Sequence, residues 1–304
     1  MGSHSAARRT TTGITRKKLL SALLGLVLLV GCLSLVAAFA FPNTSGANAA
    51  VPLSPHPSDS NLPAYTPQST AEIAALPAAT YSAVIPGLLS ATTASVGSPE
   101  TTATLNRMAP LFGAGAKKAV ARIDPSNFTG QPTVIDVIKN VGAWSLILTP
   151  ARQTLPSLSP NHHAAAQTAA WIPTLYLSNP VAVNARIKVS TSHDTLTIIH
   201  GSQTSVFTVG IGSPQMPSPI GVTGYLQARY RDAANGTGNT TIQLTSLHSS
   251  VQDNPGGVSP GGLIALHWFP RNQGAISHGC IRLTQAALSA VNALPLGTPV
   301  EITQ

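Results

Sequence analysis

Two cysteines and nine acidic side chains are few for a chain of 304 residues. A disulfide framework is excluded, because Cys32 sits inside an apolar run and Cys280 stands alone outside it. A structural zinc site needs four ligands, whereas His267, His278 and Cys280 offer three, at spacings unlike the common zinc motifs; the pair His162-His163 lies in a polar loop and reads as solvated. Charged residues make up 9% of the chain against roughly 25% in ordinary soluble domains, and Ala, Ser, Thr and Pro take their place. That composition suits an exported chain with long uncharged connectors. The net charge of +8 is concentrated: five basic residues (Arg8, Arg9, Arg16, Lys17, Lys18) precede the first apolar run, leaving 12 basic against nine acidic residues with no Lys/Arg stripe. Nucleic acid is therefore not an expected partner. There is no internal repeat, and Gly210-Ile211-Gly212 lacks the third glycine and following helix of a dinucleotide fingerprint.

What is present begins with Leu19 to Phe41, 23 residues without a charge. As a helix this run would measure about 35 Å, enough to cross a hydrocarbon core of about 30 Å. The basic cluster before it predicts a cytoplasmic N-terminus and an external body. A secretory signal has a shorter apolar region of about 7–15 residues, although Ala47-Asn48-Ala49 would serve as a cleavage site. Leu29-Val30-Gly31-Cys32 resembles a lipobox, but apolar residues continue for nine positions after Cys32. A retained anchor in the cytoplasmic membrane is the preferred expectation, and each of the three readings carries the body out of the cytoplasm.

Beyond the anchor, residues 42–115 are rich in Pro, Ser, Thr and Ala and read as a stalk. Strand-like runs at Thr133–Ile138 and Trp144–Leu148 predict a small β module over 116–182. A second β unit follows over 183–304. His200-Gly201-Ser202-Gln203 reads as the turn of a hairpin, 226–241 as a long loop of the kind that covers sites, and Leu263–His267 as a buried strand with a polar last residue. Thr284 is placed to cap a helix from Gln285 to Leu294.

Cys280 lies in this last unit, in Ser277-His278-Gly279-Cys280-Ile281-Arg282-Leu283. An isolated cysteine is ordinarily a small buried hydrophobe, but an exported free thiol is either a liability or a tool. The thiolate is the reactive form and an unperturbed thiol titrates near pH 8.5, so a catalytic cysteine wants an imidazole, an amide cluster or a helix N-terminus beside it. All three are at hand: His267 ends a strand upstream, the Ser-His-Gly turn brings backbone amides, and a helix starts shortly after. A papain-like order is excluded, since no histidine follows Cys280.

The stretch SHGCIRL, with a strand histidine upstream, resembles the signature of the L,D-transpeptidase (YkuD-like) catalytic domain family, in which Ser/Thr-His-Gly-Cys follows such a histidine. The resemblance runs from about Ala185 to the C-terminus. It includes the opening strand pair, Ser218-Pro219-Ile220-Gly221 in the place of Thr-Pro-x-Gly, and the terminal Leu296-Gly297-Thr298-Pro299-Val300. The region from Trp144 to Trp171 is similar to small SH3-like modules attached to such domains. The resemblance implies a mainly β chain: a β-sandwich with a C-terminal helix, preceded by an SH3-like module, a flexible stalk and an N-terminal membrane helix.

It further implies that Cys280 attacks a carbonyl of a peptidoglycan stem peptide and that His267 serves as its base. His278 and Gly279 would shape the turn and supply backbone donors. Arg282, Ser277 and Trp268 are the candidate substrate-binding residues; Arg282 would orient the turn or meet a stem carboxylate, and for Trp268 a packing role competes with, and is preferred to, that of a substrate platform. No metal or organic cofactor is implied. Two departures stand out. Only nine residues separate His267 from Ser277, fewer than the family commonly has, and Trp268 replaces the usual glycine. The acceptor stays open between a stem amine, a protein amine and water, the last giving an L,D-carboxypeptidase. A non-catalytic wall-binding protein with a decayed domain is the alternative from a different class.

Overall fold

Alanine does much of the burying in the first half of the chain. The computed structural model describes residues 62–232, 240–254 and 262–304, and in it Ala91, Ala103, Ala109 and Ala121 are at most 2% exposed. These small residues sit in short strands that a Pro/Ser/Thr/Ala texture conceals. The stalk expected over 42–115 is corrected accordingly for its described part. Residues 62–115 carry α1 (Thr70–Ala74), α2 (Thr93–Val96) and the strands β1 (Leu89–Ala91), β2 (Thr101–Leu105) and β3 (Ala109–Phe112). The apolar run at 19–41 lies outside the described residues; among those described, no helix is long and apolar enough to cross a membrane.

The first sheet continues with β4 (Ala119–Ile123), β5 (Val134–Val141), β6 (Trp144–Thr149), β7 (Gln167–Pro173) and β8 (Leu177–Ala182). Its order is β4-β3-β7-β6-β5-β2-β8, with β1 added to β7. Every residue of β6 and β7 is buried, so these strands are covered on both faces. At one end Tyr65, Phe112, Trp144 and Tyr176 pack edge to face, with centroids 4.9–6.1 Å apart. The Trp144 indole N–H donates to the Pro63 carbonyl at 2.7 Å, which ties residues before α1 into the same core.

The second sheet holds β9 (Ala185–Ser190), β10 (Thr195–His200), β11 (Gln203–Thr208), β12 (Gly210–Gly212), β13 (Val222–Arg231), β14 (Thr241–His248), β15 (Leu263–Trp268), β16 (Gly274–Ser277), β17 (Ile281–Leu283) and β18 (Pro299–Thr303). Its order is β11-β10-β9-β18-β13-β14-β15-β17-β12-β16. The hairpin between β10 and β11 turns at Gly201, whose φ of 57° is the left-handed conformation that a two-residue turn demands. α3 (Gln285–Asn292) is capped by Thr284, which accepts from the Ala287 N–H, and it buries Ala287, Leu288 and Val291. The loop expected over 226–241 is corrected at its start, since Leu226–Arg231 completes β13. The polar side chains there are strand residues with partners: Gln227 donates to the Thr245 carbonyl, and Arg229 donates to Gln243 Oε1 and to the Leu294 carbonyl.

The two sheets lie within one compact unit. Tyr225 of β13, 1% exposed, packs into the first core. Ser246 Oγ donates to Gln167 Oε1 at 2.6 Å, and buried Arg152 donates to the carbonyls of Ser249 and Gln252. A less comfortable group sits nearby. Asp136 of β5 is 0% exposed and neither of its carboxylate oxygens has a hydrogen-bond partner. Burial pushes its carboxyl well above the ordinary range, and the charge of Arg186 offsets only part of this. A carboxyl whose folded pKa is raised stabilises the fold at low pH, and that contribution is lost as pH rises past the unfolded value near 3.9. Asp136→Asn is therefore expected to raise the melting temperature at pH 7–8, by the equivalent of about 1–3 kcal/mol, and the gain should shrink towards zero near pH 4. Thermal unfolding of both proteins across that range checks the sign; a variant less stable than wild type at pH 8 would contradict it.

Candidate active site

Strand register assembles the site. Tyr230 of β13 pairs with Ile242 of β14, Ile242 pairs with His267 of β15, and His267 pairs with Arg282 of β17. Directly paired residues project to the same face of a sheet, so these four side chains form one row. Ala228, Leu244 and Ala265 form the neighbouring row on that face. Cys280 immediately precedes β17. Because Ile281 pairs with Leu266, Cys280 falls opposite Ala265, on the His267 face. It packs there against the small cluster of Ala228, Ile242, Leu244 and Ala265.

Cys280 is half-buried, with its thiol 3.7 Å from the Leu263 carbonyl. His267, also half-buried, has Nδ1 2.9 Å from the Trp268 carbonyl. A carbonyl can only accept, so Nδ1 carries the proton and Nε2 is left as the basic nitrogen. The two side chains share one face of the sheet, and each shifts the other's titration. Burial pushes the Cys280 thiol up, but the hydrogen bond and charge of His267 outweigh it, and the net direction is down. Burial likewise pushes the His267 imidazole down, yet the Cys280 bond and charge leave it raised. Both directions favour a thiolate beside an imidazolium.

The turn before Cys280 is braced from two sides. Gly279 adopts φ 112°, and a Cβ there would stand 2.9 Å from Ile264 Cδ1, so a side chain meets both backbone strain and a neighbour. Its N–H donates to Ser277 Oγ at 3.1 Å, and the Ser277 hydroxyl in turn donates to the Cys280 carbonyl. From the other side, Ser218 Oγ donates to the Gly279 carbonyl at 2.7 Å and accepts from the Gly212 N–H at 2.9 Å. Ser218 is buried, and its bracing role was visible in the sequence only as part of the Ser-Pro-Ile-Gly segment.

The candidate substrate-binding residues separate. Arg282 stays on the cleft face, its guanidinium 4.1 Å from the centroid of the Phe269 ring, and its charge lowers the thiol further. Trp268 follows His267 by one position and so projects to the opposite face, where it packs against the core under α3. Ser277 is 1% exposed and its hydroxyl is occupied within the turn. His278 is exposed beside the turn. Among the described residues no three His, Cys, Asp or Glu side chains gather so as to hold a metal ion.

Comparison with known proteins adds the family. Residues 184–302 match the family model of the YkuD L,D-transpeptidase catalytic domain. Among curated proteins, none matches by sequence. Similar solved structures include an L,D-transpeptidase from Stackebrandtia nassauensis, 15% identical, with 40% of this chain and 56% of that one covered and a TM-score of 0.30. The chain thus spans little more than half the length of that protein. L,D-transpeptidase 1 of Mycobacterium tuberculosis is 17% identical, with 45% and 78% covered and a TM-score of 0.29. An L,D-transpeptidase from Mycobacterium smegmatis is 13% identical, with 53% and 91% covered and a TM-score of 0.31. The part of the chain that is similar to this family is thus the part that carries His267, Cys280 and Arg282.

Proposed function

We propose that the chain is a peptidoglycan L,D-transpeptidase that works through a Cys280 acyl-enzyme. The observation that carries this reading is that strand register puts Cys280 and His267 on one face of the sheet, with Nδ1 of His267 held by the Trp268 carbonyl and Nε2 left basic; the direction in which each group shifts the other agrees with it. The thiolate attacks the carbonyl carbon between the third and fourth residues of a stem peptide, and negative charge moves to the carbonyl oxygen. Collapse breaks the C–N bond. The imidazolium of His267 gives its proton to the departing amine, and the terminal D-amino acid leaves. A thioester remains on Cys280. An amine of a neighbouring stem attacks it, Nε2 of His267 takes the amine's proton, and the thiolate is expelled. Arg282 favours the thiolate at both ends of the cycle.

The anchor at 19–41 would hold the domain outside the cytoplasmic membrane, in reach of the wall. His278 and Gly279 act through the turn, Gly279 by adopting a conformation that other residues resist. A carbapenem β-lactam presents a strained acyl carbonyl to the same thiol, so intact-protein mass spectrometry should show one adduct on the wild type. Incubation with stem tetrapeptides and an amine-bearing stem should then yield a cross-linked product. Hydrolysis without cross-linking would replace this reading with a carboxypeptidase, and a wild type that takes no adduct would overturn it.

A further inference from the structure

Three aromatic rings stand in series beside the catalytic face, and two of them come from the N-terminal module. Tyr230 lies in the His267 row two strands away, about 10 Å at roughly 4.8 Å per strand. Burial pushes its phenol up to about 12, with the charges of Asp232, Tyr81 and Cys280 adding to the effect, so it remains a hydroxyl donor. The Phe128 ring is 5.4 Å from that of Tyr230 and 4.5 Å from that of Tyr81. Tyr81 and Tyr230 both pack against the apolar cluster that seats Cys280.

The two N-terminal residues are held in place. The Tyr81 carbonyl accepts from the buried His248 Nε2 at 3.0 Å. Phe128 rides a turn pinned by Asn127, whose Oδ1 accepts from the Thr129 and Gln131 backbone N–H groups and whose carbonyl accepts from the Gly130 N–H. Yet Phe128 is 46% exposed. A large apolar ring held into solvent on a braced turn, continuous with a catalytic face, contributes little to folding and much to contact area for a ligand.

We propose that Tyr81, Phe128 and Tyr230 form a wall that grips the acyl-donor peptide upstream of the carbonyl taken by Cys280, which makes the N-terminal module part of donor selection. This rests on the transpeptidase reading above. On that reading the donor has a single residue beyond the scissile bond, so only its upstream side is long enough to reach the wall. Cys280 lies one strand further on, about 14 Å from the Tyr230 position at roughly 4.8 Å per strand. An extended peptide advances about 3.3 Å per residue, so three upstream residues cover about 10 Å of that span, and Tyr81 and Tyr230 pack on the same apolar cluster as Cys280. The ring faces would cover apolar portions of the chain, and the Tyr230 hydroxyl would donate to a peptide carbonyl.

The test compares acylation of Cys280 by a full stem tetrapeptide and by the same donor lacking its first two residues, in the full chain. In the wild type kcat/KM should favour the long donor. Phe128→Ala, at an exposed position, and Tyr81→Ala are each expected to reduce the long-to-short ratio about tenfold. Equal losses for the two donors, or an unchanged ratio in Phe128→Ala, would overturn the proposal, as would an effect confined to the acceptor step. Should the wild type take no acyl group from either donor or from a carbapenem, the transpeptidase reading itself is what has failed.

Discussion

Cys280→Ala is expected to abolish covalent capture of a carbapenem and to lower transpeptidation by at least about 10⁴-fold, because it removes the thiolate on which the proposed acyl-enzyme forms. The side chain removed is small and half-buried against Ala228, Ile242, Leu244 and Ala265, so the cavity left should cost on the order of 1 kcal/mol. The measurement therefore has two parts: intact mass after exposure to the drug, and thermal unfolding. A full loss of adduct with a small change in melting temperature assigns the chemistry to the thiol. Cys280→Ser sharpens the point, since a hydroxyl keeps the volume but is not ionised by its histidine to a comparable extent. Persistence of a stable adduct in Cys280→Ala would place the nucleophile elsewhere and remove the basis of the proposed function.

The juxtaposition of Cys280 and His267, on which the proposed function rests, was legible in the sequence for a physical reason. A left-handed glycine before a nucleophile and an imidazole at the end of a buried strand are local requirements, and local requirements leave local patterns: Gly279 and the polar residue closing Leu263–His267. The Thr284 cap and the Gly201 hairpin turn were readable on the same grounds. For Trp268 the sequence left a substrate platform and a packing role open, and parity decides between them, whereas Ser277 is decided by the hydrogen bonds of its hydroxyl within the turn. In a strand, one position separates the cleft face from the helix-covered face, and adjacency to His267 in sequence placed Trp268 on the far side. The N-terminal strands were hidden because Ala91, Ala103 and Ala109 fill their core positions, giving no contrast between apolar and polar residues. Tyr81 and Phe128 left no signal at all. Their place beside Cys280 comes from the packing of one sheet against another, joining residues far apart in the chain.

His267→Gln tests whether the imidazole acts on the thiol's protons or only holds its position. Glutamine keeps a polar side chain of related length and can still bond to the Trp268 carbonyl, so the strand and the turn should survive. What it cannot do is take a proton from Cys280 or bear a positive charge beside it. In the wild type, burial pushes the thiol up and His267 brings it below its ordinary value. Without His267 the burial effect prevails, opposed only by the backbone bond at Ala265 and the charge of Arg282. The thiol should then titrate well above its wild-type position. Acylation near neutral pH is expected to fall about 10²–10⁴-fold, the usual range for removing a positioned base. The direction in pH is the sharper expectation: the limb on which rate rises with thiolate should move to higher pH, so part of the loss is recovered in alkaline solution. Stopped-flow or quenched acylation rates across pH 6–10 decide it. An equal loss at every pH, with the limb unmoved, would make His267 a positioning residue rather than the base. The Arg282→Gln variant supplies the comparison: it removes a more distant charge and no proton acceptor, so its limb should move in the same direction by less.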